Sequence, residues 1–349
     1  MKKKIVSIYS LIHFVVDLAC AILVTNLVTQ KMGQGANLFV AVVIYNFFAF
    51  AMQLPIGVIA DRVNKNALLS AIGCLIVAIA FAFSNLGIIA CLVAGIGNSL
   101  FHVGGGIDVL NISDKKAALS GIFVSTGAMG IFLGTKSSSI GFNKYYIVIL
   151  SLIFAAIVLF ILYNQIKEKV KNEEMIIPEL TSRKMTAIIC LIFTVVVRSY
   201  VGFILAFDWK SSFALALTAT FAVVFGKMLG GIIGDKIGLK KISLISLGIS
   251  AILFIFAFNN WICGTLAILL FNMTMPITLS SLSNLLPKNK GMAFGLLTFA
   301  LFIGAIPVFC GYDEVLFNPV GLFITVIISA IVLYIGIIQY LKIMEKGHD

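Results

Sequence analysis

Apolar residues follow one another along this chain in long runs that are separated by short polar connections. A helix needs about 20 apolar residues to cross a bilayer. Twelve stretches meet this requirement, at residues 5–27, 37–60, 67–83, 86–110, 117–135, 145–165, 185–207, 211–234, 240–258, 260–284, 291–311 and 319–341. The pattern predicts an all-α membrane protein with twelve transmembrane helices in two pseudo-symmetric six-helix bundles.

One connection is longer and more polar than the others. Residues 166–184 hold charged side chains at 9 of their 19 positions, and they lie near the midpoint of the chain. A polar segment in this place is typical of a linker between two domains. We therefore predict an N-terminal bundle over residues 1–165, a cytoplasmic linker over 166–184 and a C-terminal bundle over 185–349.

The composition indicates that lipid is the solvent of this chain. Hydrophobic residues make up 61% of it and charged residues 11%, whereas a soluble domain carries about 25% charged residues. With the N-terminus in the cytoplasm, the inner segments hold 19 lysines and arginines and the outer segments hold 4. This asymmetry predicts a multi-pass protein of the cell membrane with both termini cytoplasmic, and it explains the net charge of +11 without nucleic acid.

A short phrase occurs twice in the chain. Gly57-Val-Ile-Ala-Asp61-Arg62 returns as Gly231-Ile-Ile-Gly-Asp235-Lys236, at an offset of 174 residues (235 − 61). A second pair, at residues 118–121 and 292–295, keeps the same offset. A tandem duplication in so apolar a chain indicates a transporter built of two helical bundles with a pathway between them.

Polar residues are unevenly distributed among the spans. Every third span is almost purely apolar and is expected to face lipid, whereas the other spans carry ionisable and amide side chains. Tyr9, His13 and Asp17 recur every four residues, and so do Asn98 and His102, so that each set lies on one helix face. Ionisable side chains in the bilayer core face a bundle interior or a wet cavity.

These side chains are the candidate functional residues. Asp17 is the leading proton-coupling candidate, with His13 assisting it, and Arg198 is expected to hold an anionic or polar group of the cargo. The predicted substrate-binding set is Arg198, Asn98, His102, Tyr9, Tyr45, Gln53, Asn272 and Tyr200. The alternatives are structural: a backbone bond for His13, an ion pair for Arg198, and interhelical contacts for Asn98 and Asn272. Asp108 is expected near the cytoplasmic face, solvated or packed against a loop.

The duplicated phrase ends the second and the eighth span. An acid beside the N-terminus of a neighbouring helix gains about 0.3–1 kcal/mol from the helix dipole. Such a contact, formed and broken as the inner ends of the bundles close and open, would be a conformational latch. The latch residues are predicted to be Gly57, Asp61, Arg62, Gly231, Asp235, Lys236, Gly238 and Lys240. The alternative is a plain topology signal.

Gly231-x-x-x-Asp235-Lys236-x-Gly238-x-Lys240-Lys241 resembles the loop signature of the major facilitator superfamily, and Gly57-x-x-x-Asp61-Arg62 resembles its weaker copy. Other pieces resemble the fosmidomycin-resistance branch, namely His13-x-x-x-Asp17, Gln53-x-Pro55, Phe101-His102, Arg198-Ser199-Tyr200 and Leu286-Pro287 before Gly291-x-Ala293-x-Gly295. That branch is associated with proton-driven drug efflux. One departure is Val103-Gly104, where the branch usually has Pro-Glu.

Together these observations predict a secondary active transporter, not an enzyme, that exports a small drug-like or anionic solute in exchange for protons by alternating access. Its expected partners are the cargo, protons and the lipid bilayer; a monomer without cofactor or metal is expected. The alternatives are an importer of a small metabolite, proton-coupled or passive, or a flippase for a lipid-like cargo. An intramembrane enzyme or receptor is a remote alternative, since no nucleophile motif or soluble catalytic domain is present.

Overall fold

The computed structural model describes residues 1–33, 35–312 and 314–346, and all the regular structure in these ranges is helical. The α-helices are α1 (Lys2–Ile22), α2 (Thr29–Met32), α3 (Ala36–Asn46), α4 (Gln53–Val63), α5 (Asn66–Ala80), α6 (Gly87–Ile112), α7 (Ala118–Lys136), α8 (Tyr145–Ile166), α9 (Ser182–Ile204), α10 (Phe213–Ile237), α11 (Leu239–Phe256), α12 (Trp261–Asn272), α13 (Thr274–Leu285), α14 (Lys290–Phe309) and α15 (Pro319–Lys346). Leu23–Val28 and Phe47–Ala51 are π-helical, and Phe81–Leu86 and Asp208–Ser211 are 3₁₀-helical.

Within the described ranges, 11 helical stretches are long and apolar enough to cross a membrane. The sequence predicted twelve, and the difference lies at Asn66–Ile112, a continuous stretch of 47 residues. Because the turn at Phe81–Leu86 is itself helical, no irregular residue separates α5 from α6. Gly73 of α5 and Gly97 of α6 each lie directly against the backbone of the other helix, so the two helices pack side by side.

Several helices end where the sequence supplies the required backbone geometry or cap. Asn64 follows α4 with a φ of 53°, and Gly238 separates α10 from α11 with a φ of 98°. Both residue types tolerate this left-handed region. Asn260 caps α12, because its side-chain oxygen accepts hydrogen bonds from the backbone N–H groups of Ile262 and Cys263.

The chain divides into two compact units that are not contiguous in sequence. Unit 1 comprises Met1–Ile112, Thr126–Met175 and Lys288–Phe299. Unit 2 comprises Ser113–Ser125, Ile176–Pro287 and the remainder from Ala300. The first residues of α7 thus belong to unit 2 and those of α14 to unit 1. The division of the sequence into bundles at 1–165 and 185–349 stays a prediction.

The apolar helices expose large side chains. Phe154 and Leu150 of α8 are 67% and 60% exposed, and α5, α11 and α15 carry comparable rows of exposed isoleucines and leucines. Large contiguous apolar surfaces of this kind are found where a protein meets lipid. These are the four helices that the sequence assigned to lipid. The polar residues of the other helices are largely buried, and they form the candidate sites.

Candidate functional site

Two histidines and an aspartate meet inside unit 1. Nε2 of His13 lies 3.1 Å from Oδ2 of Asp17, and Nε2 of His102 lies 3.6 Å from Oδ1 of the same carboxylate. The two Nε2 atoms are 2.9 Å apart. His13 and Asp17 share one face of α1, as their spacing predicted, and α6 brings His102 to them. We call these three residues the His–Asp–His cluster.

Asn98 orients the cluster from one helical turn away. Nδ1 of His102 lies 2.9 Å from the backbone oxygen of Asn98, so Nδ1 carries the hydrogen and Nε2 points into the cluster. The Asn98 amide also donates to Oδ1 of Asp17 at 3.2 Å. Because both ring nitrogens at the 2.9 Å contact are acceptors when deprotonated, a proton or a cation must lie between them. A neutral His13 ring that carries its hydrogen on Nε2 satisfies this contact by donating to His102, and a bound cation would satisfy it as well.

The surroundings of the cluster are tight. His13 and Asp17 are only 5% and 7% exposed, and a Cβ added at Gly127 of α7 would collide with both side chains. Tyr45 and Cys20 contact each other next to the cluster, and the Asn98 amide nitrogen lies 3.7 Å from the Cys20 sulfur. The three ligand atoms of the cluster lie within 4.8 Å of one another, which also suits a metal ion.

A second buried carboxylate lies at Asp108 near the end of α6. The Tyr9 hydroxyl donates to its Oδ2 at 2.6 Å, and the Asn66 amide donates to its Oδ1 at 2.8 Å. Asp108 is 2% exposed, so the expectation of a solvated residue was wrong. Its charge is instead met by hydrogen bonds from α1 and α5. Tyr9, predicted to bind substrate, is fully buried with its hydroxyl engaged in this bond.

Asn172 and Asn111 extend the hydrogen-bond network around Asp108 and Asn66, and the sequence analysis identified neither of them. The Asn172 amide donates to the backbone oxygen of Ala60, while its side-chain oxygen accepts from Asn66 and Asn111. Lys290 in turn donates to Asn111 at 3.0 Å. Asn172 lies in the polar linker, where no periodic pattern marks a residue as buried. The linker is thereby fastened to three helices of unit 1.

Arg198 occupies the interior of unit 2. It is 7% exposed, and its one hydrogen bond among the described residues runs from Nη1 to the Thr278 hydroxyl at 3.2 Å. A guanidinium carries five N–H donors and keeps its charge in proteins. The alternative of a structural ion pair has no support here, since no carboxylate of the described chain lies within salt-bridge distance of Arg198.

The other predicted substrate-binding residues have local partners. Tyr200 donates to the backbone oxygen of Tyr312 at 2.6 Å, and Asn272 donates to Ile268 one turn earlier in α12. Gln53 donates to the backbone oxygen of Ala49, while its buried side-chain oxygen has no hydrogen-bond partner in residues 1–33, 35–312 and 314–346. Their roles in cargo binding stay predictions.

The duplicated acids each receive two backbone N–H groups at the start of a helix. Asp61 accepts from Gly291 at 2.7 Å and from Met292 at 2.9 Å. Asp235 accepts from Ala117 and Ala118, both at 2.8 Å. The acceptors and the donors are each related by the offset of 174 residues (291 − 117), so the contact is duplicated together with the phrase.

The glycines of the phrase make these contacts sterically possible. A Cβ at Gly57 would collide with the backbone oxygen of Gly291, and one at Gly231 with that of Ala117. The remaining predicted latch residues lie at the surface. Arg62 contacts the Met175 sulfur, Lys240 lies 5.2 Å from the centre of the Tyr334 ring, and Lys236 and Gly238 are exposed. Their function as a latch stays a prediction.

The fold is the one found in transporters of the major facilitator superfamily, and the chain is a multi-pass membrane protein. No protein-family model and no curated protein sequence matches it. Among solved structures it is similar to the Escherichia coli fucose:proton symporter FucP, with 12% identity, 96% of this chain and 98% of that chain covered, and a TM-score of 0.64.

Two further structures are similar to the chain over nearly its whole length. The human organic anion transporter MFSD10 (TETRAN) is 10% identical, with 97% of this chain and 99% of that chain covered and a TM-score of 0.69. A bacterial homologue of the iron transporter ferroportin is 13% identical, with 97% and 98% covered and a TM-score of 0.66. At these identities the likeness establishes the fold alone.

Proposed function

We propose that the protein is a secondary active transporter that exports a small anionic or drug-like solute in exchange for protons by alternating access. In this proposal it works as a monomer in the cell membrane, with both termini cytoplasmic. Its twelve spans form two six-helix bundles, and it belongs near the fosmidomycin-resistance branch. The bundles would move about the latches at Asp61 and Asp235.

The observation that carries the proposal is the buried guanidinium of Arg198, which makes one hydrogen bond with the part of the chain that the structure describes, to Thr278. A buried charge without a counter-ion is costly, and in membrane proteins such residues mark substrate pathways. Planar N–H pairs match carboxylate and phosphate oxygens. An anion bound at Arg198 would supply the missing partner, which favours an anionic cargo.

The proton is assigned to the His–Asp–His cluster. Asp17 and His13 are the coupling residues of this proposal, and His102 joins them through the 2.9 Å contact between the ring nitrogens. A shared proton there would be held by three groups that lie away from water. Release of that proton on the other side of the membrane would drive export of the cargo. The direction of transport is tested separately from cargo binding.

Cargo binding is tested by a thermal-shift screen of the purified protein against phosphonates, phenolic drugs and sugar phosphates. Removing a hydrogen bond to a charged group costs about 1.5–3 kcal/mol, so Arg198→Gln is expected to weaken binding of the best anion by about 10- to 100-fold. Arg198→Lys keeps the charge but loses the planar fork, and an intermediate loss is expected. Arg183→Gln, an exposed arginine on the same helix, is the matched control. Equal binding by all variants would place the cargo elsewhere.

Coupling is tested in everted vesicles in which acidification of the lumen drives uptake of the identified anion. Asp17→Asn is expected to abolish the response to the pH gradient while ligand binding persists. Asp208→Asn, which changes an exposed acid at the start of the 3₁₀-helix Asp208–Ser211, is the control. An unchanged response in Asp17→Asn would remove this residue from the coupling mechanism, and uptake that needs no gradient would favour a uniporter.

A further inference from the structure

The His–Asp–His cluster brings two imidazole nitrogens and the two carboxylate oxygens of Asp17 close together. The atom pairs are separated by 2.9 Å between the two Nε2 atoms, by 3.1 Å from His13 to Oδ2 of Asp17 and by 3.6 Å from His102 to Oδ1. A transition metal bonds imidazole nitrogen and carboxylate oxygen at about 2 Å, so its ligand atoms lie roughly 3 Å from one another, and these separations are close to that spacing.

The groups around these ligands hold them in the form that a metal requires. The hydrogen on Nδ1 of His102 is directed to the Asn98 backbone oxygen at 2.9 Å, so in the neutral ring the lone pair of Nε2 faces the other two side chains of the cluster. The Asn98 side chain steadies the Asp17 carboxylate by a hydrogen bond of 3.2 Å. Outer partners of this kind, a carbonyl behind a histidine and an amide behind a carboxylate, are typical of metal sites.

Space for an ion is provided by Gly127 of α7. A Cβ at this position would collide with Oδ2 of Asp17 and with Nε2 of His13, the two atoms that form one side of the cluster. Both residues are more than nine-tenths buried, and the ring of Phe101 packs near His13. The cluster therefore has two nitrogen ligands, one oxygen ligand and a low-dielectric surrounding that strengthens binding of a cation.

We propose that the His–Asp–His cluster binds one divalent first-row transition-metal ion, of the class of Zn²⁺, Co²⁺ or Fe²⁺. Two imidazoles and one carboxylate suit these ions, whereas Mg²⁺ and Ca²⁺ prefer oxygen ligands alone. Three protein ligands leave a coordination position open, as in sites that exchange their ion or ligand. The inference adds a metal ion to the proton that the proposed function assigns to the cluster. Metal binding itself does not depend on the proposed function; only its effect on transport rests on that proposal.

The test is a titration of the full chain, purified in detergent with an affinity tag that contains no histidine, with Co²⁺. Visible absorption of Co²⁺ reports its coordination number and its ligand types. One equivalent per chain is expected, unaffected by excess Mg²⁺, and His102→Gln and His13→Gln are each expected to weaken binding by about 100-fold. His348 lies outside the described residues and is the third histidine of the chain, so His348→Gln is the matched control and should bind like the wild type.

A second variant tests the site without removing a ligand. Gly127→Ala fills the space for the ion and is expected to weaken Co²⁺ binding. Gly248→Ala adds a methyl group where no other described helix lies within 4 Å, and it should leave Co²⁺ binding unchanged. Monodisperse elution and an unchanged unfolding temperature establish that each variant is folded. If a histidine variant does not fold, the comparison of Gly127→Ala with Gly248→Ala decides whether the cluster binds the metal ion.

Three results would overturn the inference: no stoichiometric binding by the wild type, loss of binding in His348→Gln, or a thiolate absorption band that assigns the ion to a cysteine. Anion binding in Arg198→Gln is measured on the same preparations. Co²⁺ binding does not involve Arg198. If the protein fails to bind Co²⁺ but still binds the anion, only the metal site is refuted. Failure of anion binding beside intact Co²⁺ binding refutes only the proposed cargo.

Discussion

Replacement of Asp61 by asparagine is the sharpest test of how the duplicated acids work. The Asp61 carboxylate is 4% exposed and accepts the backbone N–H groups of Gly291 and Met292 at 2.7 and 2.9 Å. These N–H groups lie in the first turn of α14, where the backbone offers them no hydrogen-bond acceptor within the helix. Asparagine has the same shape but only one acceptor oxygen, so its amide group would face one of the two N–H groups, donor against donor.

The expected loss follows from these contacts. A hydrogen bond to a charged group contributes about 1.5–3 kcal/mol, and the helix dipole adds up to about 2 kcal/mol in a partly buried site. Asparagine retains one weaker bond, so we expect a net loss of about 2–4 kcal/mol. At about 1.4 kcal/mol for each factor of ten, opening of this contact becomes about 30- to 700-fold more frequent.

Amide hydrogen exchange of the protein in lipid nanodiscs measures this directly. Asp61→Asn should accelerate exchange at Gly291 and Met292 by that factor, while Ala117 and Ala118, held by Asp235, should keep their rates. Asp235→Asn is the reciprocal control, and its effect should be smaller because Asp235 is exposed and its charge is screened. Unchanged protection at Gly291 and Met292, or equal acceleration at both pairs, would refute the reasoning.

Two further predictions concern packing. Gly57→Ala places a methyl group against the Gly291 backbone oxygen, which cannot move as a side chain does. This variant should lower the free energy of unfolding, measured by thermal unfolding, by about 1–3 kcal/mol. Gly248→Ala meets no other described helix and should raise the free energy of unfolding by about 0.5–1 kcal/mol. A destabilised Gly248→Ala beside a neutral Gly57→Ala would contradict the geometry. Asn172→Ala removes the bonds to Ala60, Asn66 and Asn111 and should speed limited proteolysis of the linker, whereas Lys171→Ala, which breaks only the exposed pair with Glu168, should not. Equal cleavage of both variants would mean that the linker is held by other contacts.

The sequence by itself predicted an all-helical protein with many membrane spans and the positions of most of its helices. Runs of apolar residues and the bias of lysine and arginine are properties of composition and local order, so they can be counted without a structure. The repeat located both Asp61 and Asp235, since a duplication preserves spacing. The faces carrying His13 with Asp17 and Asn98 with His102 followed from the helical period.

Only the tertiary structure decided which of these residues meet. His102 reaches His13 across 89 positions, and Tyr9 reaches Asp108 across 99. In helices that are apolar on nearly all sides, hydrophobic periodicity does not set the rotation of one helix against another. That rotation depends on close approaches such as those at Gly127 and Gly97, which appear only when the helices are packed. The His–Asp–His cluster, the partners of Asp108 and the solitary bond of Arg198 therefore belong to the fold.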